Sequence, residues 1–389
     1  MLETTTNTRR SADPTPSEPA ASEVAEHGIL VRSIGTAGAA IVGALGSASR
    51  VPEQMLAQRL FQAPAMLFRG LTKELAEEAT AILRAAGVEC EVTHQDHSFT
   101  PGGADHEVAL VVRDFRKTSA VLESVMTLLG VTAAEAKRIL CTSPAVLLGR
   151  ISAATVVAIE QRFAPLGVEV DVSRPATARF DVLMGHCNAE QRAAAVAAIG
   201  GLHIEVESAR EDHAGPLLAM GISHDDAERV HAIASRSQWP LVVVNRDFQR
   251  YDVRLDAAPD TPRLRAFLAE SAGMPERMVP RVLARLPIVT HPCVRFSRMG
   301  KLLESMRALG ASASGHLLSF QAFSLRIDRV GDVEASSLIL RGIGGLSKED
   351  AERALTSTKE VPGPLSPTLA RWARHELENV GTTCRLVLP

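Results

Sequence analysis

The sequence predicts an α+β protein built of tandem two-layer modules of β-α-α-β-α-β type, with helices on one face of a small three-stranded sheet. A central ferredoxin-like β-α-β-β-α-β unit interrupts the series. Three observations carry this reading: an ungapped internal repeat, a proline and a glycine at fixed places in each copy, and apolar spacing that alternates between helical and strand periods.

The repeat comprises "RVPEQMLAQRLFQAPAMLFRGLTKELAEEATAILRAAGVECEV", "GVTAAEAKRILCTSPAVLLGRISAATVVAIEQRFAPLGVEVDV" and "GMPERMVPRVLARLPIVTHPCVRFSRMGKLLESMRALGASAS". Val51, Val131 and Met274 precede Pro64, Pro144 and Pro287 by 13 positions, and Gly87, Gly167 and Gly310 follow those prolines by 23. A period of this kind marks one supersecondary unit built repeatedly. The proline cannot continue a helix, so it ends the second helix and opens a strand. The glycine stands where a left-handed cap closes the third helix. Upstream of each copy, Ile29 to Ser33, Glu107 to Val112 and Tyr251 to Leu255 supply a first strand, and a first helix follows.

Leu75, Ala79 and Leu83, and Val156, Ile159 and Phe163, recur at three and four residues and give each third helix one buried stripe. Val88 to Val92 and Val168 to Val172 alternate apolar with acidic or polar residues, which predicts a sheet with helices on one face and water on the other. A looser copy closes the chain: strand Phe323 to Ile327, helices Val333 to Arg341 and Ser347 to Leu355, strand Val361 to Leu365, helix Pro367 to Val380 and strand Thr383 to Leu388. Between them, "FDVLMGHCNAEQRAAAVAAIGGLHIEVES" and "PLLAMGISHDDAERVHAIASRSQWPLVVV" each read as strand-helix-strand. Two such halves make the ferredoxin-like unit, with "LHIEVE" as a strand because it alternates at period two. The boundaries are a flexible tail over 1–26, modules over 27–94 and 106–175 joined by a linker over 95–105, the ferredoxin-like unit over 176–248, and modules over 249–321 and 322–389.

The β-α-α-β-α-β order, with Gly130 between two helices, "EAK" at Glu135 to Lys137, Pro144 and the closing "GVEVDV" at Gly167 to Val172, resembles the C-terminal domain of the bacterial ribosomal stalk protein (large-subunit protein seven/twelve). The likeness covers the helical modules and is closest in the second. It implies an exposed basic surface on the first two helices that recruits translation factors, hence ribosome or translation-factor association. Lys137 matches a basic position of that surface. Glu123 and Met126 stand where the family is basic on the first helix, as do Gly43 and Gly46 in the first copy and Ala266 and Ala269 in the third, while Ala57 and Pro280 stand at the place of Lys137.

Composition narrows the classes of function. With 46% hydrophobic residues in 389, the chain can bury several cores. A net charge of -3, with one Tyr and two Trp, argues against a nucleic-acid binder that needs a basic face with stacking rings. The five cysteines include no C-x-x-C pair and read as reduced thiols in a cytoplasmic protein, and no apolar run suits a membrane span.

The search for chemistry finds no H-E-x-x-H, G-x-S-x-G or complete phosphate-loop motif, so no catalytic residue, cofactor or metal site is predicted. Gly43 and Gly46 read as a place where another surface comes close. His94, His97 and His106 lie in a linker with no rigid element to hold a metal. His186 with Cys187, and His291 with Cys293, read as a buried Cys beside an exposed His. Arg113-Asp114-Phe115 and Arg246-Asp247-Phe248 each read as a turn with a local ion pair.

The functional expectation is a non-enzymatic multi-module protein–protein interaction scaffold. Its modules would pack through apolar first-helix faces (Ala39 to Leu45, Val121 to Leu129, Leu338 to Ile343), with Leu122 and Val125 among the partner-binding residues. The third stalk-like module carries an excess of roughly five positive charges between Arg250 and Arg307, suited to acidic protein or phosphate. Arg277, Arg281 and Arg285 form its single-face set by four-residue spacing. Partners are other proteins or a second copy of the chain. A small-molecule or nucleotide sensor acting through the ferredoxin-like unit is a weaker alternative.

Overall fold

The computed structural model describes residues 25–49, 51–185, 187–206 and 217–387. These form an α+β protein with five three-stranded antiparallel sheets, and in every one the first strand is central, flanked by the second and third.

The first module runs β1 (His27–Ser33), α1 (Ala40–Ser49), α2 (Glu53–Phe61), β2 (Ala65–Leu71), α3 (Lys73–Ala85) and β3 (Glu89–His94). The second runs β4 (His106–Val112), α4 (Thr118–Leu129), α5 (Ala133–Cys141), β5 (Ala145–Ile151), α6 (Ala153–Phe163) and β6 (Val168–Ser173). The third has β7 (Phe180–Met184), α7 (Ala189–Gly201), β8 (Leu217–Ile222), α8 (His224–Ser237) and β9 (Leu241–Asn245). The fourth has β10 (Arg250–Ala257), α9 (Pro262–Ser271), the short α10 (Val279–Leu283), β11 (Ile288–Arg295), α11 (Phe296–Ala308) and β12 (Ser312–Leu317). The fifth has β13 (Phe323–Arg329), α12 (Val333–Gly342), α13 (Lys348–Arg353), a π-helical turn at Ala354–Thr358, β14 (Glu360–Leu365), α14 (Pro367–Asn379) and β15 (Thr383–Val387).

Local chemistry accounts for the landmarks. Pro64, Pro144 and Pro287 stand immediately before β2, β5 and β11. Gly87, Gly167 and Gly310 are left-handed, as a helix-closing residue before a strand must be. In four of the five modules Thr72, Ser152, Ser223 and Ser366 cap the helix after the second strand, accepting a backbone N–H with the side-chain oxygen. Each module has a buried apolar cluster, with Leu56, Leu60 and Leu83 in the first and Leu128, Ile159 and Phe163 in the second, and that of the fourth also takes in Leu183, Leu217 and Val244 from the third.

The middle unit differs from the ferredoxin-like expectation. Among the described residues its sheet has three strands in the order β8-β7-β9, the arrangement of its neighbours, where a split βαβ unit requires four. Leu202 to Val206 form no strand, and 207–210 of the expected strand lie outside the described residues. Leu202 and His203 instead close α7 in a turn, with Ile204 buried in the core and Leu202 and Val206 packed against it, so the alternation of "LHIEVE" reflects anchoring without strand pairing.

The first-helix faces of the first two modules also serve differently from expectation. Val121, Val125 and Leu128 fill the second module's own core, and Leu122 packs against it. The contact between α1 and α4 is made by backbone: Ala39 N donates to Thr127 O and Leu128 O, and a side chain on Gly38 would collide with Thr127. Gly46 admits Glu53 from α2 of the same module.

A shared irregularity breaks the second strands. Gly70, Arg150, Gly221 and Cys293 all have positive φ at register shifts in the pairing of β2, β5, β8 and β11 with their central strands. In two modules a buried carboxylate on the central strand accepts the amide at that point: Gly221 N donates to Asp181 and Cys293 N to Asp252. Replacing Gly221 by Ala places a Cβ at φ +63°, so the variant should lose about 1–2 kcal/mol in urea unfolding, whereas Gly200→Ala, within α7, should not be destabilising.

Candidate functional site

The largest concentration of buried charge lies where the second, fourth and fifth modules meet. Asp171, in the middle of β6, is 3% exposed and belongs to the face that alternation assigns to water. The 3-10 turn at Arg246–Phe248 and strand β10 cover that face, which corrects the expectation of a solvated sheet surface in this module. Arg250, at the start of β10, forms a fork to Asp171 with Nε at 2.7 Å and Nη2 at 2.6 Å. Its Nη1 meets Glu169 at 2.8 Å and donates to Cys293 O at 3.0 Å. Arg295 adds an Nη2 contact to Asp171 at 2.9 Å. Burial disfavours charge on Arg250, but hydrogen bonds and attraction from Asp171 and Glu169 outweigh it and raise the guanidinium pKa.

A second pair ties in the fifth module. Arg371 on α14 donates through Nη2 to Asp252 at 2.6 Å and through Nη1 to Cys293 Sγ at 3.1 Å. Asp252 thereby receives both the bulge amide of its own sheet and a cation from another module. A third set joins modules three and four: Asp181 accepts from Arg246 Nε and Gln249 Nε2, both at 2.8 Å, and Arg246 stacks over the Phe296 ring at 5.0 Å. Asp247 accepts from Ser173 Oγ at 2.7 Å. The Arg246-Asp247-Phe248 tripeptide is therefore a junction between modules, which corrects its reading as a local pair. In Arg113-Asp114-Phe115 the local pair is Asp114 with Arg116, while Arg113 reaches Glu169 and donates to Pro292 O.

Above the Asp171–Arg250 fork lies a cleft of about 530 Å³ between the second and fourth modules. Arg113, Glu169, Arg250, His291, Arg295 and Arg298 line it, with the hydroxyls of Ser271 and Thr290 and the apolar side chains of Val294 and Leu302. His291 is 7% exposed; its Nδ1 lies 2.9 Å from Thr290 Oγ1 and its Nε2 3.0 Å from Ser271 Oγ. The expectation of an exposed His beside a buried Cys is thus corrected here, since β11 turns both His291 and Cys293 inward. Of the other pair, His186 lies outside the described residues and Cys187 is half-buried. Burial lowers the His291 pKa, which favours the uncharged ring.

The residues singled out from sequence are dispersed. Arg277 lies in a 3-10 turn, Arg281 in the five-residue α10 and Arg285 beyond its end; all three are exposed, and no continuous helix gives them one face. Lys137 donates to Gly342 O of the fifth module at 3.0 Å. Val125 is fully buried and Leu122 half-buried. His94 stands beside Glu26 and Asp96, and His106 is buried beside Asp105 and Arg174. Among the described residues no group of His, Cys, Asp or Glu is arranged to hold a metal, and no single helix is long and apolar enough to cross a membrane. The described cysteines are free thiols; burial pushes Cys141 and Cys384 up to about 11.

Sequence reasoning passed over Asp171, Asp252 and Arg371. The available signal was an acid inside "GVEVDV" and "YDVRL", at strand positions whose neighbours are core residues. No protein family, curated protein or solved structure matches the chain.

Two outcomes follow from this site. Asp171→Ala leaves Arg250 buried and short of its main counter-charge, so stability should fall by about 3–5 kcal/mol, measured by urea denaturation. For His291, the depressed folded pKa means that its contribution is present above the ordinary value of 6.5 and is lost as pH falls through the lower folded value. Imidazole titration by NMR should therefore give a midpoint below 6.5, and the wild type should lose stability relative to His291→Gln as the pH drops.

Proposed function

We propose that the protein is a non-enzymatic scaffold that presents an array of like modules to protein partners. The supporting observation is the coupling of modules two, four and five by the buried pairs Arg250–Asp171 and Arg371–Asp252. Buried ion pairs contribute little net stability compared with an apolar alternative, but a shift that parts them leaves a buried charge unmatched, which disfavours other arrangements of the modules. A fixed arrangement is what a scaffold needs, because a partner that spans two modules then meets surfaces already in register and loses less entropy on binding.

The surfaces offered overlap only in part with those expected. In the first two modules the first-helix faces are turned inward or joined by backbone contacts, and Leu75 and Ile82 are exposed on α3 instead, whereas in the fifth module the first helix α12 does expose Val333 and Leu338. Leu75 and Ile82 are seven residues apart and share one side of α3. Apolar groups displayed on a helix face are the usual material of a protein contact.

A pull-down with the full chain, paired with light scattering of the purified protein, tests the reading. Wild type should retain a defined partner or self-associate, and Leu75→Asp with Ile82→Asp, or Leu338→Asp, should abolish that retention without lowering the melting temperature. A chain that stays monomeric and retains nothing, or variants that retain the partner as well as wild type does, would rule the proposal out in this form.

A further inference from the structure

The intermodule cleft carries more positive charge than the fold consumes. Four guanidinium groups, those of Arg113, Arg250, Arg295 and Arg298, line it, against Glu169 at its wall and Asp171 beneath; four minus two leaves two positive charges. Their donors are unequally used. Arg250 is saturated by Asp171, Glu169 and Cys293 O. Arg295 gives one nitrogen to Asp171, and Arg113 gives two, to Glu169 and Pro292 O. Arg298 is exposed and makes no ion pair or hydrogen bond among the described residues. Arg295 and Arg298 therefore retain planar pairs of N–H donors, the geometry that grips an oxyanion by two parallel hydrogen bonds.

The walls narrow the class of anion. A volume of about 530 Å³ suits a small organic molecule. The hydroxyls of Ser271 and Thr290 are engaged by Phe267 O and His291, and Val294 and Leu302 supply a small apolar surface. Neither Phe, Tyr nor Trp lines the cleft, so a nucleobase would find no ring to stack on. The buried His291 adds no competing anion, and the carboxylates present are already matched to Arg250.

We propose that the cleft between the second and fourth modules binds a small, multiply charged, non-aromatic organic phosphate, with Arg298 and Arg295 holding its phosphoryl oxygens. The ligand bridges β6 and the end of β4 on one side and β11 and α11 on the other, so its binding also tightens the junction made by the Asp171–Arg250 fork. This site is separate from the apolar surfaces proposed to meet protein partners, and either can fail alone.

Isothermal titration of the full-length protein at low salt tests the proposal, with pyrophosphate, a hexose bisphosphate and sulfate as probes. Pyrophosphate and the hexose bisphosphate should each bind saturably at one site per chain, more tightly than sulfate. Arg298→Gln, whose side chain supports no other contact, should weaken both about tenfold while leaving the melting temperature of the free protein unchanged. Arg307→Gln removes an exposed cation elsewhere on α11 and should change affinity little. Absence of saturable binding by both phosphate probes, or equal weakening by Arg298→Gln and Arg307→Gln, would overturn the assignment, the latter by showing general charge attraction only.

Discussion

The contact on which the higher-order structure depends is the fork of Arg250 onto Asp171. A carboxylate 3% exposed is tolerable only with its oxygens engaged by cations, because the desolvation of an ion costs several kcal/mol. Arg250 belongs to a strand that opens the fourth module, and Asp171 to one that ends the second. Neither sheet therefore satisfies its own charge, and the two must stay together. Once β10 is placed, Asp252 two residues later is fixed where Arg371 of the fifth module can reach it. One buried pair thus sets the position of the next.

This arrangement grows out of a feature of the module itself. Gly28, Glu107, Asp252 and Ser324 pair with Thr93, Ser173, His316 and Val387, each six residues beyond the cap glycines Gly87, Gly167, Gly310 and Gly381. They occupy one site on the central strand, beside the bulge in the second strand where there is one. A bulge turns a backbone N–H away from the ladder, and a buried N–H must find another acceptor. In the fourth module Asp252 supplies it, and in the third Asp181 does the same for Gly221. The same carboxylates have further lone pairs, which accept from Arg371 and Arg246. Satisfying a local backbone irregularity has thereby created the acceptor that joins one module to another.

The elements within modules were legible because they rest on local chemistry. A proline after a helix and a left-handed glycine before a strand act within a few residues, so their spacing revealed the repeated unit. The middle unit misled because Leu202, Ile204 and Val206 alternate like a strand and all touch the core, yet they do so from the turn that closes α7 and the segment after it. Contacts between modules were not legible. The four-residue spacing of Arg277, Arg281 and Arg285 implied a helix, but α10 has only five residues. Asp171 looked like a solvated strand position because alternation reports which side of a strand a residue takes, and says nothing of whether another module covers that side.

Size explains why the cleft lies at a junction. A module of about 65–70 residues has a core only one layer of side chains deep, filled mainly by Leu, Ile and Val. A ligand placed inside it would displace the packing that holds so small a unit together. Packing two modules side by side creates concave space without opening either core. The polar ends of strands, which cannot be buried in a module of this thickness, then become the lining. The Arg113, Arg250, Arg295 and Arg298 cleft follows this rule: its side chains come from strand ends, a loop and a helix start, and its floor is the ion pair that holds the junction closed.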